Sequence, residues 1–305
     1  MTARIACIGE CMVELRELPT GLLQRGWGGD TLNTAVYLAR LGLDVDYVTA
    51  LGDDAWSGEM LAEWRAEGIG TGLVHRLAGC LPGLYIIQTN SGGERSFLYW
   101  RDSAAARRLF DHLDVQALAA FDVLYLSGIT LSIFDDAARD VLLRALAEAR
   151  ARGAQVVFDT NFRPRGWPDR ALARRLYERM FGIAHIVLAS AEDLSLLYGD
   201  AGGAELLRHA ADTEIVLKLD QPASRLFHAG TERRIQAAPV HGVVDTTAAG
   251  DSFAAAYLAA RLRGATPEDA ARSGHHLAGM VVRHPGAIIP RAAMPRPAGS
   301  QEVPS

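Results

Sequence analysis

The strongest constraint on this chain is an alternation. Short runs rich in valine and isoleucine are followed repeatedly by segments with helical apolar spacing. The runs at residues 5–8, 45–51, 123–126, 156–158, 186–188 and 215–219 read as buried strands, because they are apolar almost throughout. Residues 31–41 put Leu32, Ala35, Val36 and Ala39 on one helical face and stop at Gly42, a residue suited to the left-handed turn past a helix end. Segments 135–152, 169–181 and 250–263 read as further helices. Thr266-Pro267-Glu268-Asp269 opens a last one with a threonine cap, a first-turn proline and two acids at the positive end of the dipole. Strands joined by crossover helices make a parallel sheet, so the expected fold is α/β, doubly wound, with a mostly parallel central sheet flanked by helices. The chain's 305 residues are ample for a core, and 49% hydrophobic with 22% charged residues excludes disordered, collagen-like and coiled-coil classes.

Two stretches break the pattern. Residues 10–27 and 84–101 read as extra strands outside the main sheet, the latter folded about a hairpin turn at Asn90-Ser91-Gly92-Gly93-Glu94. Tyr85, Gln88, Phe97, Tyr99, Trp100 and Arg101 are more polar and aromatic than a buried central strand tolerates, which makes these strands a small β-lid or a dimer contact. Their edges favour a homodimer or higher homo-oligomer. One domain is expected over residues 1–294, followed by a disordered, functionally idle tail at 295–305.

Composition removes whole classes of function. A net charge of −5 supplies no field toward nucleic acid or an anionic membrane, which leaves a small molecule as the partner. Three cysteines without paired spacing argue against a disulfide framework or a structural zinc site, and residues 1–9 read as a strand and not a signal peptide; the expected setting is cytoplasmic. Lys218 is the only lysine, and its surroundings, Val216-Leu217-Lys218-Leu219-Asp220, exclude a Walker P-loop. A Schiff-base enzyme would have to use that one residue. His275 and His276 fall side by side without a zinc-protease spacing, and neither a nucleophile elbow nor a dinucleotide fingerprint occurs.

Glycine-to-helix junctions remain. In Asp245-Thr246-Thr247-Ala248-Ala249-Gly250-Asp251-Ser252-Phe253, small residues lead into a helix whose first amides and dipole make an anion site. Ala248, Ala249 and Gly250 leave no bulk to block a phosphate, and Asp251 is placed to take a proton from an attacking hydroxyl. The same carboxylate could serve only the helix dipole. In Gly28-Gly29-Asp30-Thr31-Leu32-Asn33, Asp30 and Asn33 suit the hydroxyls of a polyol, with helix capping by Asp30 as the rival. Arg163, in Asn161-Phe162-Arg163-Pro164-Arg165, follows a strand at the carboxyl end where ligands gather and is a candidate anion clamp. Tyr99-Trp100-Arg101 offers a second guanidinium, and paired arginines suit a substrate carboxylate, solvated surface arginines being the alternative.

Taken in order and spacing, Gly28-Gly29-Asp30, Leu51-Gly52-Asp53-Asp54 with Gly58, and residues 245–253 resemble the ribokinase-like (PfkB) carbohydrate kinases over nearly the whole chain. Residues 29–35, Tyr99-Trp100-Arg101, Asp159-Thr160-Asn161-Phe162-Arg163 and Pro285-Gly286-Ala287-Ile288-Ile289-Pro290 look most like the branch that phosphorylates 2-keto-3-deoxygluconate. The resemblance implies a β-lid over the sugar acid and transfer of the ATP γ-phosphate, with Mg2+, to its 6-hydroxyl, giving 2-keto-3-deoxy-6-phosphogluconate. It makes Asp251 the base and Ala248, Ala249 and Gly250 the anion hole. Gly29, Asp30, Asn33, Tyr85, Tyr99, Arg101 and Arg163, with Asp251, would hold the sugar acid. Asn161, Arg163, Ser190, Lys218, Asp220, Ala223, Ala248, Gly250 and His276 would hold the nucleotide, and Asp193 the metal.

Three departures from the family pattern stand out. Gly-Ala-Gly-Asp reads Ala248-Ala249-Gly250-Asp251, acceptable if the first position needs no positive φ. The nucleotide loop, commonly Lys-x-Gly-x-x-Gly, reads Lys218-Leu219-Asp220-Gln221-Pro222-Ala223. Asn-x-x-Glu reads Ser190-Ala191-Glu192-Asp193, leaving open which acid acts. The competing functions are a kinase for another sugar, such as fructose or ribose, and a non-catalytic sugar or nucleotide sensor on the same fold.

Overall fold

A computed structural model describes residues 3–18, 20–89 and 95–295. The hairpin turn expected at 90–94 and the tail from 296 onward lie outside the described residues. In chain order the strands are β1 (Arg4–Ile8), β2 (Met12–Glu17), β3 (Leu23–Gly28), β4 (Asp44–Gly52), β5 (Val74–Leu77), β6 (Gly83–Thr89), β7 (Arg95–Trp100), β8 (Val123–Ser127), β9 (Gln155–Asp159), β10 (Ile186–Ser190), β11 (Glu214–Lys218), β12 (Ala223–His228) and β13 (Thr231–Gln236). The α-helices are α1 (Asp30–Arg40), α2 (Ala55–Ala66), α3 (Gly128–Ile133), α4 (Asp136–Ala151), α5 (Arg170–Ile183), α6 (Ala191–Tyr198), α7 (Gly202–Leu207), α8 (Ala249–Leu262) and α9 (Pro267–Val281).

Among the described residues, nine strands form one sheet in the order β13-β12-β11-β10-β9-β8-β1-β4-β5. It is parallel from β11 to β5, and only the β12–β13 hairpin at one edge runs antiparallel. Both faces of the sheet are covered, which explains why its strands are apolar at successive positions. Ala6 and Ile8 of β1 pack into one core with Leu142 and Leu146 of α4 and Phe181 of α5. Ile5 and Cys7 pack into the other with Val36 of α1 and Tyr257 of α8. Local chemistry starts the helices as expected: Thr266 accepts from the Asp269 amide, and Asp135 and Asp169 cap α4 and α5. No helix among the described residues is long and apolar enough to cross a membrane.

The chain runs outward from β1 to β4 and β5, then returns to place β8 on the other flank of β1. The order therefore reverses beside β1, and a crevice opens beyond the carboxyl ends of the strands at such a point. Asp159, Ser190 and Lys218 are the last residues of β9, β10 and β11, so all three arrive at that edge.

A second sheet, β3-β2-β6-β7, is built from the strand pairs that follow β1 and β5. Its two faces differ by strand periodicity. Met12, Tyr85, Phe97 and Tyr99 line the crevice, while Leu23, Leu98 and Trp100 are exposed on the other side.

Candidate active site

A cleft of about 610 Å3 lies beneath the small sheet. Its ceiling is aromatic: Phe97 and Tyr99 stack at 6.3 Å, and Tyr85 lies 5.9 Å from Tyr99. Gly29, Asp30 and Asn33 enter from the start of α1, Asn161 and Arg163 from the loop after β9, and Thr246 to Asp251 from the loop that begins α8. Gly29 has no substitute at this point, because a Cβ there would sit 2.2 Å from the Glu10 carbonyl oxygen.

These groups hold each other. The Asn33 amide donates to Asp251 Oδ2 at 2.8 Å, and the Asn161 amide donates to Asp30 Oδ2 at 2.6 Å. Asp30 is thus not a cap: α1 is capped by Gly29 without a side-chain bond. Asp251 is half-buried, and burial pushes its carboxyl up to about 8, assisted by the negative charges of Asp30 and Asp159 and opposed by the Asn33 hydrogen bond and Lys218. Such a carboxylate is a far better proton acceptor than a solvated one.

Asp159 opens the motif 159–163 but carries no site role in the sequence reading. It is 5% exposed, and its Oδ2 lies 3.0 Å from Lys218 Nζ, so the sole lysine is anchored at the strand ends. Burial raises the Asp159 carboxyl while the lysine pulls it down. An acid closing the apolar run 156–158 was the available signal.

A groove of about 500 Å3 adjoins the cleft. It is lined by Asp220, Pro222, Ala223, Phe253, His275 and Val282, and shares Lys218, Thr246, Ala249 and Gly250 with the cleft. Those four residues form the seam between the two spaces. Beside the seam Ala248 takes φ +59°, ψ 16°, the left-handed conformation that costs a residue with a Cβ roughly 1–2 kcal/mol. The reading in which this position needs no positive φ is therefore corrected; the loop keeps a glycine geometry without the glycine. The Ala249 amide donates to the Thr246 carbonyl at 3.2 Å, which leaves the first-turn amides of Gly250 and Asp251 for an anion.

Arg101 is not among the residues that line the cleft: its guanidinium pairs with the buried Glu10 carboxylate beside the ring of Tyr99, which does line it. Arg163 does line the cleft, mostly exposed, with Nη1 3.3 Å from Asp193 Oδ1. His276 lines a cavity that adjoins the groove and shares Ala237, Val240, His275 and Gly279 with it, while His275 faces the groove itself and bonds Ser224 Oγ at 3.1 Å, because neighbours on a helix point about 100° apart. Ser190 lines the cleft while its hydroxyl caps α6 at the Asp193 amide.

Asp193 is buried and accepts from Thr160 Oγ1 at 2.7 Å, whereas Glu192 is exposed at the cleft. Among the described residues no three metal-ligating side chains converge. One or two hard carboxylate oxygens beside a phosphate-sized anion site still fit magnesium, which binds through few protein ligands and keeps waters and phosphate oxygens.

Residues 2–294 match the family described as pfkB family carbohydrate kinase. The chain belongs to that family. It is 46% identical to a 2-dehydro-3-deoxygluconokinase of Dickeya dadantii, over 96% of this chain and 99% of the relative. It is 44% identical to the 2-dehydro-3-deoxygluconokinase of Escherichia coli strain K12, over 97% and 100%. In three dimensions it is similar to a fructokinase with bound ATP from Xylella fastidiosa, with a TM-score of 0.85 at 23% identity over 97% of this chain and 96% of that one. The α/β fold with its mostly parallel, helix-flanked sheet is the one these kinases share.

Proposed function

We propose that this pfkB kinase transfers the terminal phosphate of ATP to the 6-hydroxyl of 2-keto-3-deoxygluconate, releasing ADP and 2-keto-3-deoxy-6-phosphogluconate. That substrate is the 2-dehydro-3-deoxygluconate in the names of the relatives that match this chain end to end. The observation that carries the chemistry is Asp251, which lines the polar cleft on the first turn of α8, next to Gly250 of the seam with the apolar groove. A sugar acid in the cleft is held by Asp30, Asn33 and the backbone at Gly29 under Tyr85 and Tyr99, with Arg163 as the cation for its carboxylate. The nucleotide occupies the groove along Asp220 and Ala223, and its phosphates reach the seam at Lys218, Ala248 and Gly250, close to Asn161 and Ser190.

Asp251 accepts the proton of the attacking hydroxyl as the new O–P bond forms and the bond to ADP breaks. The amides of Gly250 and Asp251, with the positive end of α8, stabilise the charge on the transferring group. Glu192 and Asp193 are the carboxylates that would hold magnesium, which when bound neutralises polyphosphate charge. The exposed outer face of the small sheet, with Leu23, Leu98 and Trp100, supports a homodimer through the lid. The setting is cytoplasmic.

The withdrawal of Arg101 favours one rival, a kinase for a neutral sugar, because a single guanidinium remains for the carboxylate. An ADP-release assay with Mg-ATP tests the reading against 2-keto-3-deoxygluconate, 2-keto-3-deoxygalactonate, gluconate, fructose and ribose. Preference for the keto-deoxy acids supports it, and faster turnover of fructose or ribose overturns it.

A further inference from the structure

We propose that Arg16, on the lid strand β2, is a positioning residue that couples the lid over the sugar acid to the loop that receives the phosphate. Arginines tie the lid to the body of the protein. Arg25 pairs with Glu59, Arg165 Nη1 donates to the Phe97 carbonyl at 2.8 Å, and Arg16 Nη1 lies 4.0 Å from Asp245 Oδ2. Of these body partners, Asp245 alone belongs to the loop that opens α8.

Asp245 organises that loop. It is 3% exposed; Oδ1 accepts the Thr247 amide at 2.9 Å and the Thr247 hydroxyl at 2.6 Å, while Oδ2 accepts the Gly286 amide at 2.9 Å. One carboxylate thus joins the segment before α8 to the segment after α9. A guanidinium approaching Oδ2 acts on both.

On its other side Arg16 reaches the cleft. Its Nη2 lies 3.2 Å from Glu14 Oε1, and the second oxygen of Glu14 accepts the hydroxyl of Tyr85, part of the aromatic ceiling. Glu14 and Arg16 are two apart on one strand, so their side chains share a face. The result is a continuous polar chain, Tyr85 to Glu14 to Arg16 to Asp245 to Thr247, from the sugar side of the site to the phosphate side. Its loosest link is the 4.0 Å separation at Asp245. A descent of the lid by roughly 1 Å brings that link to the length of a charge-assisted hydrogen bond. A ligand that holds Tyr85 down would then fix the loop, and by thermodynamic reciprocity an occupied loop would favour the lowered lid.

The inference rests on the proposed pair of substrates, and the test separates the two. Calorimetric titrations would measure a non-hydrolysable ATP analogue with magnesium and 2-keto-3-deoxygluconate, each alone and each in the presence of the other. For the wild-type protein the second ligand is expected to bind about 5- to 50-fold more tightly than it does alone. In Arg16→Met each ligand alone should bind within about twofold of wild type while this enhancement falls to nearly one. Arg16→Lys should restore part of it. Glu14→Gln, which cuts the chain one link earlier and leaves Asp245 untouched, should weaken it as well and serves if Arg16→Met does not fold. Retention of the full enhancement in Arg16→Met and Glu14→Gln, or its absence in a wild-type protein that binds both ligands, overturns the role of Arg16. Failure of the wild-type protein to bind the sugar acid at all overturns the substrate reading and the coupling with it.

Discussion

Replacing Asp251 by asparagine is expected to cut turnover by orders of magnitude and stabilise the fold, and the second effect depends on pH in a defined direction. The folded carboxyl titrates at about 8, because burial and the charges of Asp30 and Asp159 disfavour the anion. In the unfolded chain it titrates near the ordinary value of about 3.9. Between those limits the unfolded state sheds the proton first, so wild-type stability falls as pH rises from about 4 to about 8 and levels off above. The full span corresponds to at most about 6 kcal/mol, at about 1.4 kcal/mol for each tenfold change. The side chain is half-buried, so water offsets much of this, and about 1–3 kcal/mol is expected to remain. Asparagine carries no charge and keeps an oxygen for the Asn33 amide, so the variant escapes the penalty. Urea unfolding of both proteins from pH 5 to pH 9 should show Asp251→Asn gaining on wild type with pH, alongside a loss of about 10²- to 10⁴-fold in turnover. An advantage that is flat or shrinks with pH would refute the electrostatic argument; wild-type turnover in the variant would refute the base.

Other consequences follow from the same geometry. With both substrates below saturation, the rate should climb with pH along an acid limb near 8 and then level, since only the ionised Asp251 accepts a proton; a profile flat from pH 6 to 9 argues against it. Ala248→Gly should raise stability by about 0.5–1 kcal/mol in urea titration, because the backbone there is left-handed, and Ala248→Val should lower it. Arg163→Ala should raise KM for the sugar acid by roughly 10- to 100-fold with little loss of stability, as befits an exposed charge-assisted contact. Arg101→Ala should do the reverse, costing about 3 kcal/mol in unfolding by stranding buried Glu10 while KM changes little. Equal KM effects in the two variants would show that Arg101 reaches the substrate after all.

The central strands β1, β4, β8, β9, β10 and β11 were legible because a sheet covered on both faces demands apolar residues at successive positions, whereas the edge strands β5, β12 and β13, less uniformly buried, were not. Thr266, Asp135 and Asp169 mark helix starts by bonding amides two or three residues away, a distance that sequence reports directly. Gly29, Asp30, Asn33 and Asp251 were recognisable for the same reason: each belongs to a junction of small residues whose form is local. Partner choice was not local. Asn33 and Asp251 meet across 218 positions, and Arg101 meets Glu10 across 91, because sheet order and crossovers bring their elements to one edge. Arg101 pairs with buried Glu10 and Arg163 with buried Asp193, and of the two only Arg163 keeps a mostly exposed side chain along the cleft. The rotation of α9 that turns His275 and not His276 to the groove, and the left-handed turn at Ala248, are likewise settled by packing. Local residue chemistry specifies the kinds of element and what each end can carry. Which charges face each other is set by folding, because electrostatic interaction depends on separation in space and on burial, and neither is a property of position along the chain.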